Sequence, residues 1–103
     1  MRLPPDRFSV AAMRTSMTAE LAETMALNAL GFLVNSPEEL DRFMALSGAG
    51  PAMLRERATD PEFLAAVMDF MLANEQLLKD FCEAETLDPR ALHMARRMLP
   101  GGI

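Results

Sequence analysis

The chain has 103 residues, 15 Asp and Glu against 10 Lys and Arg, half of its residues hydrophobic, and neither Trp nor Tyr. That is the length of one small domain, which can bury about 65% of its unfolded surface and so fold without metal or disulfide staples. With Cys82 as the only cysteine, neither an intramolecular disulfide nor a cysteine-based zinc cluster can form; this points to a reducing compartment and makes the cytoplasm the expected location.

Charge is unevenly placed. Residues 1–17 carry +2 (Arg2, Arg7 and Arg14 against Asp6), residues 18–88 carry −10, and residues 89–103 carry +3. An acidic body without a basic stripe argues against a dedicated nucleic-acid binder. The longest charge-free stretch, Thr24 to Pro37, has 14 residues, short of the ~20 apolar residues a spanning helix requires, so no membrane span is expected. The apolar run within residues 1–17 is brief and no small-residue cleavage site follows, so these residues are not expected to be a secretory signal. Residues 1–17 are expected to form a basic, weakly ordered N-terminal arm ahead of a single helical domain, residues 18–103.

In chain order, Thr18 is a candidate cap for a helix of roughly residues 19–34, with Leu21, Met25 and Phe32 on one stripe. Asn28 falls on that stripe and is expected to be a buried amide that fixes packing register, ahead of a ligand contact. Ser36-Pro37-Glu38-Glu39-Leu40 opens a second helix, with Glu39 three residues after Ser36 as a capping box. Gly48 reads as a left-handed stop, and Gly50-Pro51 opens a short helix, Ala52 to Ala58.

Asp60-Pro61-Glu62-Phe63-Leu64 opens the next helix, and from Phe63 to Ala73 there is one charge, Asp69. A helix apolar on every side is surrounded by others, which makes this the central one. Leu77, Leu78, Phe81 and Cys82 give the following segment a one-sided stripe. The steps of four and three through Phe63, Val67, Phe70, Asn74, Leu77 and Phe81 fit one helix over residues 61–86, whereas Asn74 as a cap would make two. Asp88-Pro89 opens the last helix, which should end before Pro100-Gly101-Gly102. Strict period-2 alternation is absent, so no sheet is expected. The predicted fold is all-α: a compact bundle of five to six short helices around a central apolar helix at about 61–73, with a flexible N-terminal arm.

Few residues offer chemistry. Asp69, on the most apolar helix, must be paired or face a cleft, since an unpaired buried charge would cost several kcal/mol; a structural pair with Arg55 or Arg57, or a solvent-facing position, is favoured over a functional carboxylate. His93 and Cys82 are the only such residues in the chain, and nothing places the third group that a Cys–His nucleophile needs. A buried thiol and a surface histidine are the expected outcome, with no metal and no cofactor. Gly48-Ala49-Gly50-Pro51 lacks the strand and the Lys-Ser or Lys-Thr of a phosphate loop. A helix-turn-helix reading of residues 51–58 and 61–73 lacks the polar side chains that a recognition helix requires. Ten methionines are many for this length. Met chiefly fills gaps in irregular cores, and Met94 and Met98, at i and i+4 on the last helix, are the better candidates for a binding face.

Taken together, Glu23-Thr24-Met25-Ala26-Leu27-Asn28-Ala29-Leu30-Gly31-Phe32-Leu33, Arg42-Phe43, Gly50-Pro51, Asp60-Pro61-Glu62-Phe63-Leu64, Phe81-Cys82 and Leu99-Pro100-Gly101-Gly102 resemble a bacterial, mainly alphaproteobacterial, family of short proteins of unknown function. The resemblance runs from about Glu23 to Gly102. It implies a cytoplasmic bacterial protein and transfers no catalytic residue.

The function expected is a non-catalytic protein–protein interaction or regulatory module that offers an apolar, Met-containing helix face to a protein partner or to its own copy in a homodimer. The residues predicted to bind are Phe81, Leu92, Met94 and Met98. A second reading is a small enzyme or ligand-binding protein with a cleft around Asp69, Cys82 and His93. A third is weak nucleic-acid contact through the arginine-bearing termini.

Overall fold

A computed structural model describes residues 18–101. The arm at residues 1–17 lies outside the described residues. The described chain folds into six helices: α1 (Ala19–Val34), α2 (Pro37–Ser47), α3 (Pro51–Glu56), α4 (Pro61–Ala73), α5 (Glu75–Glu85) and α6 (Pro89–Arg97). Among the described residues there is no strand. The protein is an all-α bundle, as its sequence pattern predicts.

Local chemistry sets most boundaries. Thr18 accepts a hydrogen bond from the Leu21 amide at 3.1 Å, Asp60 from the Glu62 amide at 3.1 Å, and Asp88 from the Arg90 amide at 2.8 Å. Each satisfies a donor that the first helical turn leaves unpaired. Pro37, Pro51, Pro61 and Pro89 open four of the helices, because a first-turn residue has no amide bond to lose. Gly48 ends α2 at φ +76°, and its amide donates to the Met44 carbonyl at 2.9 Å.

Two boundaries differ from the sequence reading. The capping box at Ser36 does not form: its hydroxyl donates back to the Phe32 carbonyl at 3.1 Å and makes no cap. Glu39 instead accepts from the Asn74 side chain at 2.9 Å and pairs with Arg42 at 3.3 Å. The short helix α3 starts and stops earlier than expected, at Pro51 and Glu56. The open question over residues 61–86 resolves as two helices. Asn74 leaves the helical region at φ −114°, ψ 97°, and its side-chain oxygen accepts from the Leu77 amide at 3.2 Å, restarting the chain as α5.

The core forms where α1, α4 and α6 meet, with α2 against α1 and α5 against α4 and α6. Met25, Leu33, Leu64, Val67, Met68, Met71, Phe81 and Leu92 are fully enclosed. On α1 half of the buried face is alanine: Ala22, Ala26 and Ala29 beside Met25, Leu30 and Leu33. Small side chains let the α1 and α4 backbones approach closely, so α1 is as central as α4. Five phenylalanines pack edge to face, Phe32 on Phe81 and Phe43 on both Phe63 and Phe70, with centroids 5.3–5.7 Å apart. That geometry sets each ring's positive edge against a neighbour's negative face.

Candidate functional site

Of the residues singled out by sequence, Cys82 is buried and His93 and Asp69 are at the surface, as expected, while Asn28 is not where the sequence places it. Among the described residues no polar or charged side chain is buried. Asn28 is exposed, which corrects its reading as a buried amide; the buried stripe of α1 runs one position away, through Ala29 and Leu33. Asp69 is also exposed, and its partner is Arg96 of α6, not Arg55 or Arg57. Arg96 reaches it with two parallel bonds, Nε to Oδ1 at 2.6 Å and Nη2 to Oδ2 at 3.2 Å, while Nη1 donates to the Pro100 carbonyl at 2.9 Å.

Cys82 is a buried free thiol; burial pushes its pKa up, and the Asp88 carboxylate adds to the rise. A thiol held protonated is a poor nucleophile. His93 is exposed. The described concavities of this fold are not lined by Asp69, Cys82 or His93, so the residues of the expected cleft are not brought to a shared one. No group of three His, Cys, Asp or Glu among the described residues is arranged to hold a metal ion.

Of the residues predicted to bind a partner, Phe81 and Leu92 are completely buried and belong to the core. Met94 is half-buried against that core, and Met98, 42% exposed, is the only one that offers much surface. The apolar stripe of α6 is therefore turned into the core and offers no continuous exposed face.

Exposed apolar side chains gather instead along α1, α2 and α3. α1, α2 and α3 enclose an open trough of about 680 Å³ walled by Leu27, Leu30, Val34, Leu40, Leu54 and Ala58. Leu27 and Val34, one on either side of Gly31, are 44% and 47% exposed. Asn35 and Arg55 are the polar groups on its walls. A second, smaller hollow of about 270 Å³ adjoins it at Leu27 and Ala58 and continues toward the start of α1, where Glu20 and Glu23 line it. Among the described residues neither glutamate has a basic partner.

Gly31 lies within this trough. A side chain placed there would meet nothing within 4 Å, and φ is ordinary, so neither crowding nor backbone geometry requires glycine. Glycine inside a helix costs about 0.5–1 kcal/mol relative to alanine. What its presence does here is keep the trough open between Leu27 and Val34. Sequence did carry a signal for this site: Leu27, Gly31 and Val34 stand at i, i+4 and i+7 within the charge-free stretch, on a face of α1 that the core does not use.

A third hollow, about 430 Å³, lies between the start of α2 and α5 and is lined by Glu38, Glu39, Gln76 and Asp80. Glu39 is already engaged by Asn74 and Arg42, and Gln76 donates to Asp80 at 2.9 Å.

No helix among the described residues is long and apolar enough to cross a membrane. No curated protein and no solved structure matches the chain. Residues 19–102 match the family described as Protein of unknown function (DUF3572), and on a match covering most of its length the chain belongs to that family.

Proposed function

We propose that this protein is a non-catalytic interaction module whose working surface is the trough formed by α1, α2 and α3. The occupant it suits is an amphipathic, net-basic segment with apolar anchors at i, i+3 or i+4, and i+7. The observation that carries this reading is the pairing of an open apolar trough with an interior glycine that no internal contact requires. Leu27 and Val34 remain half in water, and covering them is worth about 25 cal/mol per Å² of apolar surface removed. Glu20 and Glu23 at one end favour a basic end on the bound segment. The lone buried thiol suits a reducing compartment such as the cytoplasm.

The test is titration of a fluorescein-labelled model peptide of Leu and Lys, with Leu at i, i+3, i+4 and i+7, against the full chain. Leu27→Glu and Val34→Glu should weaken binding at least about tenfold, a loss of about 1.4 kcal/mol, while the helical circular-dichroism spectrum is retained, since both side chains are already half exposed. Binding that ignores both substitutions, or no binding, would sink the reading.

A further inference from the structure

We infer that the segment seated in the trough brings a carboxylate for Arg55, so that the partner is recognised by two charges of opposite sign: an acidic side chain against Arg55 and a basic end against Glu20 and Glu23. This rests on the trough being a docking surface and names what fixes the register of its occupant.

Spacing places Arg55. Pro51, Leu54, Arg55 and Ala58, at i, i+3, i+4 and i+7, all line the trough, so they form the face that α3 and the turn after it present to it. Ala58 is shared with the acidic hollow, Thr59 lines the hollow alone, and Pro51, Leu54 and Arg55 line the trough alone. On α1, Leu27 is shared while Glu20 and Glu23 line the hollow alone. The chain from Pro51 to Thr59 therefore approaches the hollow from the trough. Arg55 stands three residues before the border at Ala58, on the trough side, and Glu23 stands four residues before Leu27, on the other.

Arg55 is also the cation that the fold leaves unanswered there. Arg42, Arg57, Arg90 and Arg96 each hold a carboxylate within 3.3 Å, whereas Arg55 has no acidic partner among the described residues. Asn35, the other polar group on the trough walls, donates its side-chain N–H to the Gly31 carbonyl at 3.1 Å. In the open trough Arg55 is exposed and water satisfies its N–H donors. A segment laid over Leu27, Val34 and Leu54 also covers the stem of Arg55 and removes part of that water, while the guanidinium keeps its charge. Desolvating a charge without a partner is costly. A carboxylate offsets that cost with two parallel hydrogen bonds, the geometry this chain already uses between Asp69 and Arg96. Among segments with apolar anchors, those that set a carboxylate at that point are favoured, even though it lowers their net positive charge.

The probe is the fluorescein-labelled Leu/Lys peptide with Glu put at each Lys position in turn, titrated against the full chain. One position should tighten binding about fivefold, the upper range for an exposed ion pair, and the others should not. Arg55→Gln should abolish that gain, and Arg55→Glu should turn it into a preference for Lys at the same position. Arg97→Glu makes the same change in net charge at an exposed arginine of α6 that has no acidic partner among the described residues, and it should leave the favoured position unchanged. Arg55→Gln judges the case alone if circular dichroism shows that Arg55→Glu disturbs the helices. Binding that no Glu position improves, equal gains at every position, or a gain that survives the loss of Arg55 would overturn the inference, while the trough reading stands as long as Leu27→Glu and Val34→Glu still weaken the parent peptide. Binding indifferent to Leu27 and Val34, or no binding by any of the peptides, overturns both.

Discussion

Asp69 and Arg96 stand 27 residues apart in sequence and join α4 to α6 by two parallel hydrogen bonds, while the same guanidinium holds the Pro100 carbonyl. One arginine therefore fixes a helix pair and closes the C-terminal turn. A double-mutant cycle of Asp69→Ala and Arg96→Ala should give a coupling of about 0.5–1 kcal/mol, because Asp69 is largely exposed. Arg96→Ala should cost more than Asp69→Ala, since only it releases Pro100. Equal single-mutant effects in chemical denaturation would contradict this.

Asn74 is both a helix start and a long-range tether to Glu39. Asn74→Ala should destabilise the fold by about 1–2 kcal/mol, of which the cap is about half. Asn74→Asp keeps the cap but sets a carboxylate against Glu39, so it should lie between wild type and alanine. An alanine variant as stable as wild type would show that α4 and α5 run on as one helix at no cost.

Thr86 ends α5 at φ +56°, a left-handed conformation that suits a β-branched side chain poorly. Thr86→Gly should stabilise the protein by about 1 kcal/mol, or about 4–8 °C in melting temperature for a domain of this size. Gly48→Ala, at φ +76°, should shift it the opposite way. Matching signs for the two variants would refute the backbone argument.

Gly31→Ala separates folding from binding. It should raise stability by about 0.5–1 kcal/mol, because the added methyl group meets nothing. It should also weaken the Leu/Lys peptide, and Gly31→Leu should weaken it further. Gains in both stability and affinity would show that the glycine does not serve the trough.

Stability should bend at both ends of the pH scale. In the folded chain burial raises the Cys82 pKa, so above the unfolded value of about 8.5 the unfolded chain loses a proton the folded one keeps. Stability then falls as pH rises through that window, and Cys82→Ala should flatten the decline. The Asp88 carboxyl is held below its usual range by hydrogen bonds from the Arg90 side chain and backbone. Its contribution is complete above the unfolded value of about 3.9 and disappears as pH falls through the folded one; Asp88→Asn should remove that acid limb.

Helix starts were legible wherever one residue and its next three decide the outcome, as at Thr18, Asp60 and Asp88. Ser36 misled because its expected partner Glu39 is drawn to Asn74, 35 residues away, a contact no local pattern contains. Asn28 misled because the buried face of α1 is half alanine, whose weak hydrophobic signal is overshadowed by Leu21 and Phe32, both only half-buried. Phe81 and Leu92 look like binding anchors by spacing, yet the same spacing serves a core. Phe81→Ala should accordingly cost about 3–5 kcal/mol of folding stability. Of the trough only the α1 wall, Leu27, Gly31 and Val34, was legible, since its other walls come from α2 and α3, whose placement depends on the Gly48 turn.

That turn has a mechanical meaning. α3 has six residues, well below the length at which a helix sustains itself in water. It is held by Leu54, by the buried Ala49 before it, and by its two glycine-bearing and turn-forming ends. One wall of the trough is therefore a jaw on a soft hinge, while α1 opposite is a rigid anvil packed into the core. The amides of Leu54 and Arg57 should exchange with solvent far sooner than those of Met25 or Met68. Such a jaw would adapt to side chains of different size without disturbing the bundle, so selectivity would come from Glu20 and Glu23 on the rigid α1 more than from the shape of the trough.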